Sequence, residues 1–237
     1  MKRRPGLFVL MLATTLVLGA STLASAEGTG TVTQIGLDNY AYMYQEATSE
    51  AIIMQLGNTN SASVEQEGPG HLGGVGQVGD ENECILLQLG QKDLAFSIQS
   101  GNENYASITQ MHSIAGSSSY RNISDNDAFS YQSGLNNRLE LLQTGDDNTA
   151  SVYQMNNNNE ALVVQSQHTS GTGAQATFIV QSGIGNWVVS QQDGTHHVAR
   201  CRQFGDTNSA LVNQDGLDNT ASVVQTGNSN AVTINQG

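Results

Sequence analysis

Glutamine returns every eleven residues along this chain, at Gln34, Gln45, Gln55, Gln66, Gln77, Gln88, Gln99, Gln110, Gln132, Gln143, Gln154, Gln165, Gln181, Gln192, Gln203, Gln214, Gln225 and Gln236. The step is ten between Gln45 and Gln55 and sixteen between Gln165 and Gln181. It is twenty-two between Gln110 and Gln132, where Arg121 stands at the place of the absent glutamine. A period this persistent restricts the chain to a repeat architecture in which each unit packs on the next. The full unit, Q-x-G-x-x-N-x-A-x-x-x-Q, is seen from Gln143 through Asn148 and Ala150 to Gln154. Glycine follows the glutamine by two in 13 of 18 steps and asparagine by five in 12, Asn148, Asn208 and Asn219 among them. Glycine and asparagine tolerate positive φ, so these segments are expected to be turns.

The segment from each asparagine to the next glutamine is expected to be a strand, and parity tests this. Side chains alternate between the faces of a strand. The residues four and two before each closing glutamine share its face, and none of these 36 positions is charged. The position two before is Met, Ile, Val, Leu or Cys in 14 of 18 steps and Ser in the rest, and the position four before is Ala in 11. Charged strand residues such as Glu65, Arg138, Glu140, Arg200 and Arg202 fall on the other parity. A helical period would not hold this register. The fold class expected is therefore all-β: a β-solenoid of about nine two-stranded coils built from eleven-residue half-repeats, with cross-β stacking about 43 Å tall. Gln would lie over Gln and Asn over Asn, forming amide ladders along the stack.

Residues 1–26 have the form of a secretory signal peptide, and 27–237 form the repeat domain. Lys2, Arg3 and Arg4 precede the apolar run Leu7 to Leu18, and Ala24-Ser25-Ala26 offers a cleavage site before Glu27. No other stretch is apolar enough to span a bilayer as a helix, so no membrane insertion is expected. Without the leader, five basic residues oppose 21 acidic ones, a net charge of −16. Such a surface repels nucleic acid.

No catalytic, cofactor or metal site is expected. The five histidines lack metal-ligand spacing, and His197 takes a turn position usually held by Asn. There is no G-x-S-x-G, P-loop or dinucleotide fingerprint. Acidic turns such as Gly79-Asp80-Glu81-Asn82 are expected to be solvated rather than Ca²⁺-bound. Cys84 and Cys201 both fall on the inward parity, ten steps or five coils apart, about 24 Å. That exceeds disulfide reach, so two free buried thiols are expected. Arg121 in a glutamine column is a candidate gatekeeper against premature aggregation, with drift in a long array as the alternative. Tyr131 and Tyr153 should stack on the outer face of adjacent coils.

The repeated Q-x-G-x-x-N-x-A-x-x-x-Q resembles the curlin repeat of bacterial curli subunits over nearly all of the chain beyond the leader. The resemblance implies a secreted structural subunit of an extracellular amyloid fibre at the cell surface, used in adhesion and biofilm matrix. It implies self-association into fibres, a second curlin-type subunit that nucleates or elongates, and an outer-membrane export pore. The Gly-rich targeting segment of the family's major subunit is missing, since seven residues separate the leader from Gln34. The repeats run to a last segment Val232-Thr233-Ile234-Asn235-Gln236, an uncapped edge that favours self-association. The alternative is a monomeric secreted β-solenoid that binds a surface or polysaccharide.

Overall fold

The computed structural model describes residues 17–18, 21–25, 28–111, 125–167 and 173–237. Its strands form two ten-stranded sheets, parallel throughout, and consecutive strands alternate between them. Two strands and two turns make one coil, giving nine coils from Thr29–Leu37 to Ala231–Gln236. Val17–Leu18 and Ser21–Ser25 add one short strand to each sheet, paired with Thr29–Leu37 and Tyr40–Gln45. Among the described residues no helix is long and apolar enough to cross a membrane.

Local sequence dictates this arrangement. In Thr149–Met155, Ala150, Val152 and Gln154 are buried while the residues between them are partly or wholly exposed. The same alternation recurs from strand to strand, and most strands bury one small residue, one larger apolar residue and one glutamine, with Ser97, Ser130 and Ser190 in the middle place in three of them. The inward apolar residues join into one cluster running the height of the stack. Pairing is in register: Ala128 lies over Ala150, Tyr131 over Tyr153 and Gln132 over Gln154. Register is held because a one-residue slip would turn every inward side chain outward.

The turns use two left-handed residues. One lies two after the glutamine and is usually glycine, such as Gly79 at φ +117, with Ala47 and Asn156 in that place after Gln45 and Gln154. A Cβ on Gly79 would sit 2.0 Å from the carbonyl oxygen of Gly101 in the coil above, which explains the glycine on steric grounds beyond φ alone. The second left-handed residue is not the asparagine but the residue before it: Thr59, Glu81, Asn136, Asp147 and Thr207 all lie near φ +55. This corrects the expected role of the asparagine, whose side chain, rather than its φ, is what the turn uses.

Candidate functional site: stacked amide ladders

All eighteen expected glutamines lie in two continuous hydrogen-bonded columns, one in each sheet. In the first, Gln34, Gln55, Gln77, Gln99, Gln132, Gln154, Gln181, Gln203 and Gln225 are joined at 2.7–3.1 Å. In the second, Gln45, Gln66, Gln88, Gln110, Gln143, Gln165, Gln192, Gln214 and Gln236 are joined at 2.7–2.9 Å. Every Nε2 donates toward the C-terminal end of the stack, so both ladders are polar. At the N-terminal end the buried Gln45 Oε1 has no hydrogen-bond partner among the described residues.

All of these amides but Gln34 show a second duty among the described residues. Gln154 Nε2 also donates to the Arg138 carbonyl at 2.9 Å, Gln132 to Tyr105 at 2.8 Å and Gln55 to Tyr40 at 2.9 Å, all in the opposite sheet. The glutamine therefore ties rung to rung and sheet to sheet. The small residue four before a glutamine faces these amides: a Cβ at Gly73 would meet Gln66 Nε2 and Gln88 Oε1. Alanine suits that position because a larger side chain would compete for the space the amide crosses.

The two corners of the solenoid differ. At one, Asn39, Asn60, Asn82, Asn104, Asn137, Asn159, Asn186, Asn208 and Asn230 form an unbroken column at 2.9–3.1 Å. Each of these bonds runs toward the N-terminal end, opposite to the glutamines. Asn208 Nδ2 also donates to the Gly227 carbonyl at 2.8 Å, closing the arc above it. The other corner holds Ser49, His71, Asp93, Asn126, Asn148, Gln175, His197 and Asn219 in sequence up the stack. Asn148 N–H donates to Asn126 Oδ1 at 3.0 Å, while Asn148 Oδ1 is buried without a partner below Gln175. Asn219 N–H donates to His197 Nδ1 at 3.3 Å. The expectation of Asn over Asn thus holds at one corner only.

His71 is fully buried and makes two bonds as a neutral ring: Nε2 to the Glu67 carbonyl at 3.1 Å, and Nδ1 accepting the Asp93 N–H at 3.2 Å. The Asp93 carboxylate lies 3.4 Å from the same Nδ1. Burial pushes the His71 pKa below its ordinary value, and that is the direction the bonding of the neutral ring supports. No three His, Cys, Asp or Glu side chains converge to hold a metal among the described residues.

Arg121 lies outside the described residues. The rung assigned to it does not exist, because Gln99 bonds directly to Gln132 and Gln110 directly to Gln143. Tyr105–Met111 and Asp127–Leu135 are successive rungs of the two described columns, so the count of rungs is one fewer there than the period of eleven implies. The lower count also moves the cysteines. Cys84 and Cys201 are buried and unbridged, as their parity implies, but they stand in opposite sheets, nine strands apart rather than ten. Burial pushes both thiols up to about 12. On the outer face Tyr131 and Tyr153 approach to 6.5 Å between ring centroids, within a row that includes Phe129 and Phe178.

No curated protein matches the sequence. The curlin associated repeat model matches residues 57–90, 79–111, 199–227 and 205–237. These segments carry the same Gln and Asn columns as the rest of the stack, in the same register. The chain is a β-solenoid that carries curlin associated repeats.

Proposed function

We propose that this protein is the structural subunit of a curli-type extracellular fibre, exported after removal of residues 1–26 and assembled end on end into an amyloid-like filament. The observation that carries this reading is the pair of polar glutamine ladders. All their donors point one way, and at the N-terminal end the acceptor Gln45 Oε1 is left over, beneath the strand Ser21–Ser25 that leaves with residues 1–26. A second copy stacked C-terminal end to N-terminal end would bring Gln225 over Gln34 and Gln236 over Gln45. It would repeat inside the fibre the bond already made sixteen times inside the chain. Once residues 1–26 are removed, Gln45 Oε1 is open at the end of the stack, and the incoming Gln236 Nε2 would exchange its water for the bond made at every other rung, a gain of about 0.5–1.5 kcal/mol. Adhesion and biofilm matrix are the roles such a fibre serves. The curlin repeat is found in structural fibre subunits rather than enzymes, and the acidic surface keeps the chain soluble before assembly.

The test is seeded growth of purified protein lacking residues 1–26, followed by thioflavin fluorescence and electron microscopy. Fibres that appear after a lag, and without one when fragments are added, support the reading. A protein that stays monomeric by light scattering at tens of micromolar for days overturns it in favour of a solitary surface-binding solenoid.

A further inference from the structure

The two outer faces of the solenoid are unlike. The strands of the sheet that starts at Thr29–Leu37 carry two acidic residues, Glu50 and Asp127, while the strands of the other carry seven. The acid-poor face instead exposes large apolar side chains in almost every coil: Ile52 at 46%, Met54 at 56%, Val78 at 48%, Ile98 at 40% and Val224 at 65%. On the acidic face the strands expose three such residues, Tyr40, Trp187 and Leu217. The acid-poor face, nine strands of about seven residues each, spans about 40 Å by 20 Å, roughly 800 Å². That is the area each partner contributes to a standard specific interface.

We propose that a second copy of this chain packs face to face on this sheet, related by a two-fold axis along the middle strand, Asp127–Leu135. The relief of the face fits this axis. Leu72–Val78 and Ala176–Ser182 lie two strands to either side of the middle, so the rotation lays one on the other. Gly76, around which an added Cβ would meet nothing within 4 Å, is a hollow. Val180 occupies the equivalent place one residue before its glutamine and enters that hollow from the partner, beside the aromatic ridge of Phe129, Tyr153 and Phe178. Charge fits as well. The strand of Glu50 comes over the strand of Arg200 and Arg202, three strands from the middle on each side, with Glu50 and Arg200 one pleat apart along the strand. A two-fold axis along the stack would instead set Arg200 of one copy against Arg202 of the other, an unfavourable pairing. This interface is lateral. It is distinct from end-on growth and does not require it.

Mass per length by scanning transmission electron microscopy reads the pairing directly in fibres, and sedimentation velocity reads it in the unassembled protein. Paired filaments carry two chains in each length of about 43 Å, and single filaments carry one. Ile98→Lys and Tyr131→Lys should each halve the mass per length and raise the dimer dissociation constant at least tenfold. Seeded elongation should continue in both, and Thr109→Lys on the acidic sheet should change neither readout. Arg200→Glu with Arg202→Glu should weaken pairing, and adding Glu50→Lys should restore it. Single-filament mass together with a monomer in the unvaried protein overturns the proposal, as does pairing that survives the lysine variants. Charge reversal without rescue overturns the strand-axis geometry. If the protein stays unpaired but binds neutral lipid vesicles in a way Ile98→Lys abolishes, the face serves another partner and the proposal is wrong. Failure of elongation alone bears on end-on growth and leaves the sedimentation result decisive for pairing.

Discussion

Replacing Gln154 by methionine isolates what one rung of a ladder contributes. The side chain is fully buried and makes three hydrogen bonds: Nε2 to the Arg138 carbonyl at 2.9 Å, Nε2 to Gln181 Oε1 at 3.0 Å, and Oε1 from Gln132 Nε2 at 2.8 Å. Methionine keeps close to the same length and volume, so the cavity contribution is small. Each lost bond costs about 1 kcal/mol net. Gln132 Nε2 retains the Tyr105 carbonyl, but Gln181 Oε1 and the Arg138 carbonyl lose a partner inside the protein. Gln154→Met should therefore destabilise the monomer by about 3–5 kcal/mol after the gain in apolar burial is set against these terms. Gln34→Met, at a rung that among the described residues donates a single bond, to Gln55, should cost only about 1 kcal/mol. Urea denaturation of freshly desalted, unassembled protein, followed by far-ultraviolet circular dichroism, measures both. Equal losses at the two positions, or a loss below about 1 kcal/mol at Gln154, would refute the ladder as a stabilising element.

Three further outcomes are expected. Gly79→Ala, whose Cβ would lie 2.0 Å from the Gly101 oxygen, should lower stability by at least about 3 kcal/mol, from strain plus clash. Gly216→Ala, at φ +91 with nothing within 4 Å, should cost about 1 kcal/mol, and thermal melts separate the two. Cys84 and Cys201, with thiols pushed up to about 12 by burial, should resist a disulfide exchange reagent at pH 8 in the folded protein and react fully in urea. His71 titrates below its ordinary value of 6.5, so as pH falls through that value the unfolded chain takes up a proton the folded chain does not. Stability is full above about pH 6.5 and declines below it, and His71→Asn should flatten urea midpoints measured between pH 5 and 7.

Much of this fold is legible in the sequence because a parallel in-register stack copies one constraint many times. The absence of charge at Ala150, Val152 and their counterparts marks the inward face, and Gln132 over Gln154 follows from a period of twenty-two. What the period does not carry is which repeats are rungs. A step of twenty-two from Gln110 to Gln132 has the same arithmetic whether or not a further rung stands between the glutamines on either side, and the direct Gln99–Gln132 bond shows that the column has none there. The same slip put Cys84 and Cys201 in one sheet when they face from opposite ones. The reach of each glutamine to the opposite sheet was also hidden, since a carbonyl such as that of Arg138 has no side-chain signature. Its trace is the alanine found four residues before most of the glutamines, small because the amide of the other sheet passes there. The corner asymmetry is visible in retrospect: His71, Asp93, Gln175 and His197 all fall in one of two alternating sets of turns, whereas the other set is asparagine throughout.

The central claim is that each subunit is a nine-coil solenoid continued end on end by the next through its glutamine ladders. Helical reconstruction of the fibre by electron cryomicroscopy tests it most directly, through the axial rise per subunit. Nine coils at the usual strand spacing predict a rise of about 43 Å per chain, with the 4.8 Å layer spacing repeated inside it. A rise of about 4.8 Å per chain, each subunit lying flat as a single layer, would contradict both the coil and the ladder that continues it.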